Sequence, residues 1–254
     1  MLEWRKTLEN LFETTIVLPD EPMPAGDHLP LSKFLEDSET EAFIRKQGKK
    51  HPELYVLGTL FAKRYTNLMM AVIWAAAKYD AALPVQIDQV MLRLREGGGY
   101  AFTLIGSPVK LDQTNRSDSW KRFFTSFLES HVTKVYESTA AATKGGLDTF
   151  WGLAGHNMQG VYLKLERELA AANDHRLGTV RGDREVVNSL AKPVTSKFRL
   201  YEPELEGESP FYIRTHCCLS YRTKDPAAPV YCNACPRMSD EARERKLQSR
   251  YQKI

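Results

Sequence analysis

Four cysteines occur in this 254-residue chain, and all of them fall in the nineteen residues from Cys217 to Cys235. The pattern is an adjacent pair, Cys217-Cys218, then thirteen intervening residues, then Cys232-Asn233-Ala234-Cys235-Pro236. A C-x-x-C turn lets the chain fold back so that two thiolates meet one metal while backbone N–H groups point toward sulfur. Adjacent cysteines are less usual, because neighbouring side chains of an extended chain point to opposite faces and need a local bend to reach one small ion. A cluster with two irons relaxes that demand. Three other chemistries stay open on the pattern: a structural zinc site with four cysteine ligands, redox disulfides between the paired cysteines, and unliganded thiols. Such tight clustering suits a local metal site in a reducing compartment better than a disulfide framework that ties distant segments together.

His216 precedes the first cysteine and is a weaker candidate ligand, since four cysteines already suffice and no second histidine lies near Cys232 to make a Rieske-type set. A cluster with four thiolates carries a net charge of roughly −2 oxidised and −3 reduced, so nearby cations favour reduction. Arg214, Arg222, Lys224 and Arg237 are the cations close in sequence, available to tune such a cluster or to attract an anionic substrate.

Residues 211–236, FYIRTHCCLSYRTKDPAAPVYCNACP, resemble the C-terminal signature of the FhuF-like ferric siderophore reductases. The Cys-Cys pair, the following Tyr221-Arg222 and the closing C-x-x-C-P carry the likeness. The resemblance implies that Cys217, Cys218, Cys232 and Cys235 ligate a [2Fe-2S] cluster, and that the protein is a cytoplasmic oxidoreductase reducing siderophore-bound Fe(III) to Fe(II). The implied substrate is a hydroxamate or citrate-hydroxamate chelate. The gap between the cysteine pairs is longer than is usual in that family, enlarged by residues 224–229. Upstream the likeness thins to a helical body and a Leu-Trp segment within residues 147–160.

No flavin or nicotinamide fingerprint occurs, so the electron would come from a separate donor such as a ferredoxin or flavoprotein. Two other functions compete: a ferredoxin-like relay and a zinc-stabilised four-cysteine binding module. No helix-turn-helix or concentrated basic face suggests nucleic acid. The net charge of +3, from 35 basic and 32 acidic residues, names no partner.

The elements that must position these residues predict an α+β fold, with a predominantly helical body over residues 1–192 and a cysteine-rich segment with a closing helix over residues 193–254. The first fifty residues read as short helices joined by a Pro-rich connection. Leu54 to Tyr79, opened by Pro52, reads as the central buried helix. Its uncharged core, Tyr65 to Ala77, is thirteen residues long, short of the roughly 20 a membrane span needs. The first residues, rich in charge, lack the apolar core of a secretory signal, which predicts a chain that is not exported. Alternation around Val90 to Leu94, the glycines Gly97 to Gly99 and the apolar run Tyr100 to Ile105 predict a β-hairpin near 89–105. Trp120, Phe123, Phe124, Phe127, Leu128, Val132, Val135 and Tyr136 recur at helical spacing as a core stripe, with Ser117 and Asp118 placed to cap that helix. A helix from about Asp148 to Ala172 carries Trp151, His156 and Asn157, the candidate substrate contacts of the body. Pro-punctuated short strands at Phe198–Tyr201 and Phe211–Ile213 lead into the cysteines.

Overall fold

Ala, Leu, Val and aromatic residues on most sides make Leu54–Tyr79 a largely buried helix, and the rest of the molecule packs around it. The computed structural model describes residues 2–48, 51, 53–96, 99–190, 198–223 and 229–251. Expectations resting on Pro52, Gly97, Gly98, Lys224 and the 192/193 boundary lie outside the described residues. In chain order the elements are α1 (Leu2–Phe12), β1 (Thr14–Val17), β2 (His28–Pro30), α2 (Leu31–Phe34), α3 (Asp37–Gly48), α4 (Leu54–Tyr79), β3 (Ala81–Ala82), β4 (Val90–Leu94), β5 (Tyr100–Ile105), β6 (Val109–Lys110), α5 (Arg116–Phe127), α6 (Thr133–Thr143), α7 (Leu147–Ala171), α8 (Leu177–Ser189), β7 (Arg199–Tyr201), β8 (Phe211–Ile213) and α9 (Asp240–Tyr251). The fold is α+β, a predominantly helical body carrying small sheets. Among the described residues no helix is long and apolar enough to cross a membrane.

The expected hairpin forms between β4 and β5, with Val90 opposite Leu104 and Leu94 opposite Tyr100. It is the centre of a mixed sheet of order β1-β5-β4-β2, in which β1 runs parallel to β5 and β2 antiparallel to β4. The reading of the first fifty residues as helices alone is therefore corrected. Thr14, Thr15, Ile16 and Val17 are β-branched and fill the edge beside β5, in a strand too short for its alternation to stand out next to α1.

Rings from three layers interlock over α4. Phe61 stacks on Phe34 and Tyr100 with centroids 5.0 and 4.9 Å apart, and Phe43 meets Phe34 and Tyr100 edge-on. Two of the tyrosine hydroxyls in this core bond to α4 carbonyls, Tyr100 to Phe61 at 2.9 Å and Tyr136 to Ala62 at 3.2 Å. Helix α7 lies along α4, and the aromatic stripe of α5 and α6 closes the core, interrupted by a π-helical turn at Leu128–Val132. That turn carries His131 inward. Its Nδ1–H donates to the Val85 carbonyl at 2.5 Å, and Nε2 accepts from the Tyr65 hydroxyl.

Ser117 does not cap α5. Asp112 accepts bonds from the Thr114 N–H and hydroxyl at 2.9 and 2.7 Å, which tightens the approach so that the helix begins at Arg116. Asp118 does sit in the first turn, held by the Asn115 amide at 2.8 Å. Helix α8, weakly marked because of Gly178 and Gly182, is fixed by burial of Asp183. Arg116 holds its carboxylate at 2.7 and 3.0 Å, while the Trp120 indole bonds to its carbonyl at 3.2 Å.

Burial pushes the His131 imidazole down to about 4, whereas an unfolded histidine titrates near 6.5. Between those values the unfolded chain holds a proton that the folded one does not, so stability that is complete above pH 6.5 falls as pH drops toward 4. The slope from this group is about 1.4 kcal/mol per pH unit, roughly 3 kcal/mol in all. Urea unfolding of wild type and His131→Gln between pH 7 and 4.5 checks it. The variant's stability profile should be flatter by that amount, and parallel profiles would refute the assignment.

Candidate cysteine centre

Among the described residues the cysteine segment has little apolar material of its own, a small buried cluster of Tyr201, Ile213 and Leu247 with Leu205 and Phe211 packed against it. Its geometry comes from hydrogen bonds. Strand β8 leads into Arg214, whose N–H bonds to the Ala234 carbonyl at 3.1 Å and ties the incoming limb to the outgoing one. After Cys217 and Cys218 the chain reverses through Leu219, at φ +58°, into a 3₁₀ turn at Ser220–Thr223. This is the bend that adjacent cysteines need. On the other limb Cys235 N–H bonds to the Cys232 carbonyl at 3.0 Å, closing the C-x-x-C turn, and Met238 N–H bonds to the Cys235 carbonyl at 3.3 Å.

The two limbs bring the thiols close enough to act on one another electrostatically, Cys217 on Cys218 and Cys235, and Cys232 on Cys218 and Cys235. Cys218 and Cys235 are buried, whereas Cys217 and Cys232 are half-buried. A single Arg214 nitrogen, Nη1, donates to the sulfurs of both Cys218 and Cys232 at 3.3 Å. The hydrogen bond from Cys232 pushes the Cys218 thiol down to about 4, helped by the charges of Lys63 and Arg214 and by the Ser220 N–H. The same bond, with burial, pushes Cys232 up. Burial likewise raises Cys217, against a bond from the Leu219 N–H.

Among the described residues no group of three or more His, Cys, Asp or Glu side chains is arranged to hold one metal ion. The donor set itself, four thiols from two limbs with the Leu219 and Ser220 N–H groups and the Arg214 guanidinium directed at sulfur, has the chemistry of an iron-sulfur ligand set.

Three helices hold the segment in place. On α7, Gly152 admits the His216 ring, for a Cβ there would stand 2.3 Å from Nδ1. His216 thus packs against the body, bonded to the Thr215 hydroxyl at 3.0 Å. One turn on, His156 Nε2 meets the Tyr212 carbonyl at 2.8 Å, and burial lowers its imidazole pKa. Asn157 donates to Thr66 on α4 at 2.5 Å. Trp151 sets its ring edge-on to Tyr136 at 5.1 Å and belongs to the core. At the start of α4, Glu53 pairs with Arg222 at 2.6 Å, and the Arg222 guanidinium lies over Tyr55. Arg222 therefore fastens the 3₁₀ turn to the body, with its charge answered there. Arg237 lies over Tyr221, 5.3 Å from the ring centroid.

The third support escaped sequence reasoning. Arg243 of α9 is 1% exposed and donates to the carbonyls of Asn233, Cys235 and Met238, the last two at 3.3 and 3.0 Å. Lys246, one turn later, bonds to the Tyr231 carbonyl. The only local signal was the spacing of Arg243, Lys246 and Leu247, which puts two cations and a buried leucine on one helix face.

Replacing Arg243 by Met keeps an unbranched stem against Tyr201 but removes every donor to those three carbonyls. The expected cost is about 3 to 5 kcal/mol in chemical unfolding, with Arg243→Lys recovering part of it. A change below about 0.5 kcal/mol would show that the bonds do not hold the turn.

No protein-family model matches the chain, and no curated protein matches it.

Proposed function

We propose that Cys217, Cys218, Cys232 and Cys235 hold a [2Fe-2S] cluster and that the protein is a ferric siderophore reductase. The observation that supports the cluster best is the convergence of Cys218 and Cys232, one from each limb, on a single Arg214 nitrogen, and the substrate class rests on the resemblance of residues 211–236. When bound, such a cluster supplies one electron at a time.

The residues around it are suited to that task. Arg214 places a positive charge against two of the sulfurs, which offsets the negative charge that reduction adds. Gly152 and the Arg243 bonds keep the limbs fixed, so little reorganisation accompanies a change of charge. Cys217 and Cys232, half-buried, offer an edge through which an electron can leave without covalent contact. Such a transfer uses no general acid, base or nucleophile. Hydroxamate and carboxylate oxygens grip hard Fe3+ far more tightly than Fe2+, so one electron delivered to the bound metal releases it. The electron enters from a separate donor, a ferredoxin or flavoprotein, and the cytoplasm is the setting that supplies one.

Protein purified without oxygen should be brown and carry about two irons and two acid-labile sulfides per chain. Cys232→Ser should lose most of both. After chemical reduction, mixing with a ferric hydroxamate should restore the oxidised spectrum while a ferrous trap captures iron. Stoichiometric zinc without sulfide would make the segment a structural zinc module. An intact cluster that exchanges electrons with protein carriers but with no ferric chelate would make it a relay.

A further inference from the structure

Beside the cysteine centre, α3, α4, α7 and the 3₁₀ turn leave a cleft of about 460 Å³ between them, lined by Gln47, Lys63, Arg64, Asn67, Asn157 and Thr223 among others. Its volume lies in the range of small-molecule sites. Thr223 closes the same turn that begins two residues after Cys218, so one wall of the cleft is continuous with the sulfur ligands. Lys63 lines this cleft from α4, with Asn157 of α7 on the same wall.

The polar wall is organised in advance. Glu13 receives Arg64 through two bonds of 3.0 Å, Asn67 at 3.4 Å and Arg95 from the hairpin, so two guanidinium groups share one carboxylate. Gly99, at φ +78°, makes room for this. A Cβ at that position would stand 1.9 Å from Arg64 Nη1. Lys63 differs from its neighbours, because among the described residues it makes no ion pair. The cleft therefore carries surplus positive charge, with amide and hydroxyl groups around it, next to a centre read above as an electron source.

We infer that this cleft binds the ferric chelate and that Lys63 is the specificity-determining residue, selecting chelates with a free, ionised carboxylate. The reductive use of the cleft rests on the function proposed above, but binding does not. An ammonium without an ion pair among the described residues binds a carboxylate without first breaking such a pair, while Arg64 and Asn67 are held back by Glu13 as a fixed polar wall. A neutral hydroxamate chelate gains nothing from Lys63.

Gallium(III) copies ferric coordination yet takes no electron, so it reports binding alone. Titration calorimetry with gallium citrate and with the neutral gallium complex of desferrichrome, on wild type, Lys63→Ala, Lys63→Arg and Lys63→Glu, tests the assignment. Gallium citrate should bind wild type, weaken by about tenfold or more in Lys63→Ala, fail with Lys63→Glu and return most of the way in Lys63→Arg. Its affinity for wild type should fall as salt rises, and the neutral complex should be indifferent to all three changes. Equal affinity of wild type and Lys63→Ala for gallium citrate, or no binding to wild type, overturns the assignment. Lys63 is partly exposed, so a folding defect is not expected, and the neutral complex reports the integrity of the cleft in each variant. The two readings fail separately. A protein without sulfide whose gallium citrate binding still depends on Lys63 keeps the cleft and loses the cluster. A protein with sulfide that reduces a neutral ferric hydroxamate, but binds gallium citrate equally well without Lys63, keeps the reductase and loses the cleft.

Discussion

Bringing four thiols together from two limbs of an almost coreless segment requires something other than apolar burial to fix the backbone. Here that role falls to guanidinium groups bonded to carbonyls and sulfur. Arg214 spans Cys218 and Cys232, and Arg243 gathers the carbonyls of Asn233, Cys235 and Met238. A planar fork with five donors can satisfy several acceptors at once, which an ammonium cannot do with the same rigidity. The two arginines work from opposite sides, one arriving from β8 and one from α9. The C-terminal helix is thus part of the centre, although it contributes no ligand.

The same economy governs how the segment meets the body. Apolar packing fixes α4 and α7 against each other, and the cysteine segment is laid across them by contacts at a few points: Glu53 with Arg222, Gly152 with His216, and His156 with the Tyr212 carbonyl. Each point is polar or sterically exact in its demand for a small residue. Rigidity made in the aromatic core is passed outward through the two helices. The cations are sorted by this scheme as well. Arg222 is spent on anchoring, Arg214 faces sulfur, and Lys63 faces the open cleft.

How far the sequence revealed this follows from the range of each interaction. Leu54–Tyr79 was readable to the residue because its apolar content is continuous, and α7 within one residue because Gly145 and Gly146 break the chain before it. The hairpin announced itself through alternation and glycine. Thr14–Val17 did not, since a strand of four residues acquires its identity from β5, more than eighty positions away in the chain. Helix α8 depends on the grip of Arg116 and Trp120 on Asp183, which outweighs its two glycines. At the site, the cysteines were legible because their chemistry is local. Arg222 was legible only as a charge, for Glu53 lies far upstream and no spacing rule connects them. Arg243 was obscured in the opposite way, because a charged residue on a polar terminal helix ordinarily faces water.

Positive charge held by bonds and positive charge left open have different consequences beside a centre that gains negative charge. Arg214 cannot swing away without giving up its bonds to two sulfurs, so its field belongs to the resting energetics of the centre. Lys63 has no such obligation. Its field is shared between Cys218 and whatever enters the cleft, so an anion bound there neutralises part of the charge that the centre feels. Under the proposed reading, an anionic chelate would thereby make the centre a slightly stronger reductant at the moment the acceptor is in place. The argument needs no movement of the chain. It follows from the Lys63 charge acting on Cys218 from the wall of the cleft, while Arg64, Arg222 and Arg214 are committed to Glu13, Glu53 and sulfur.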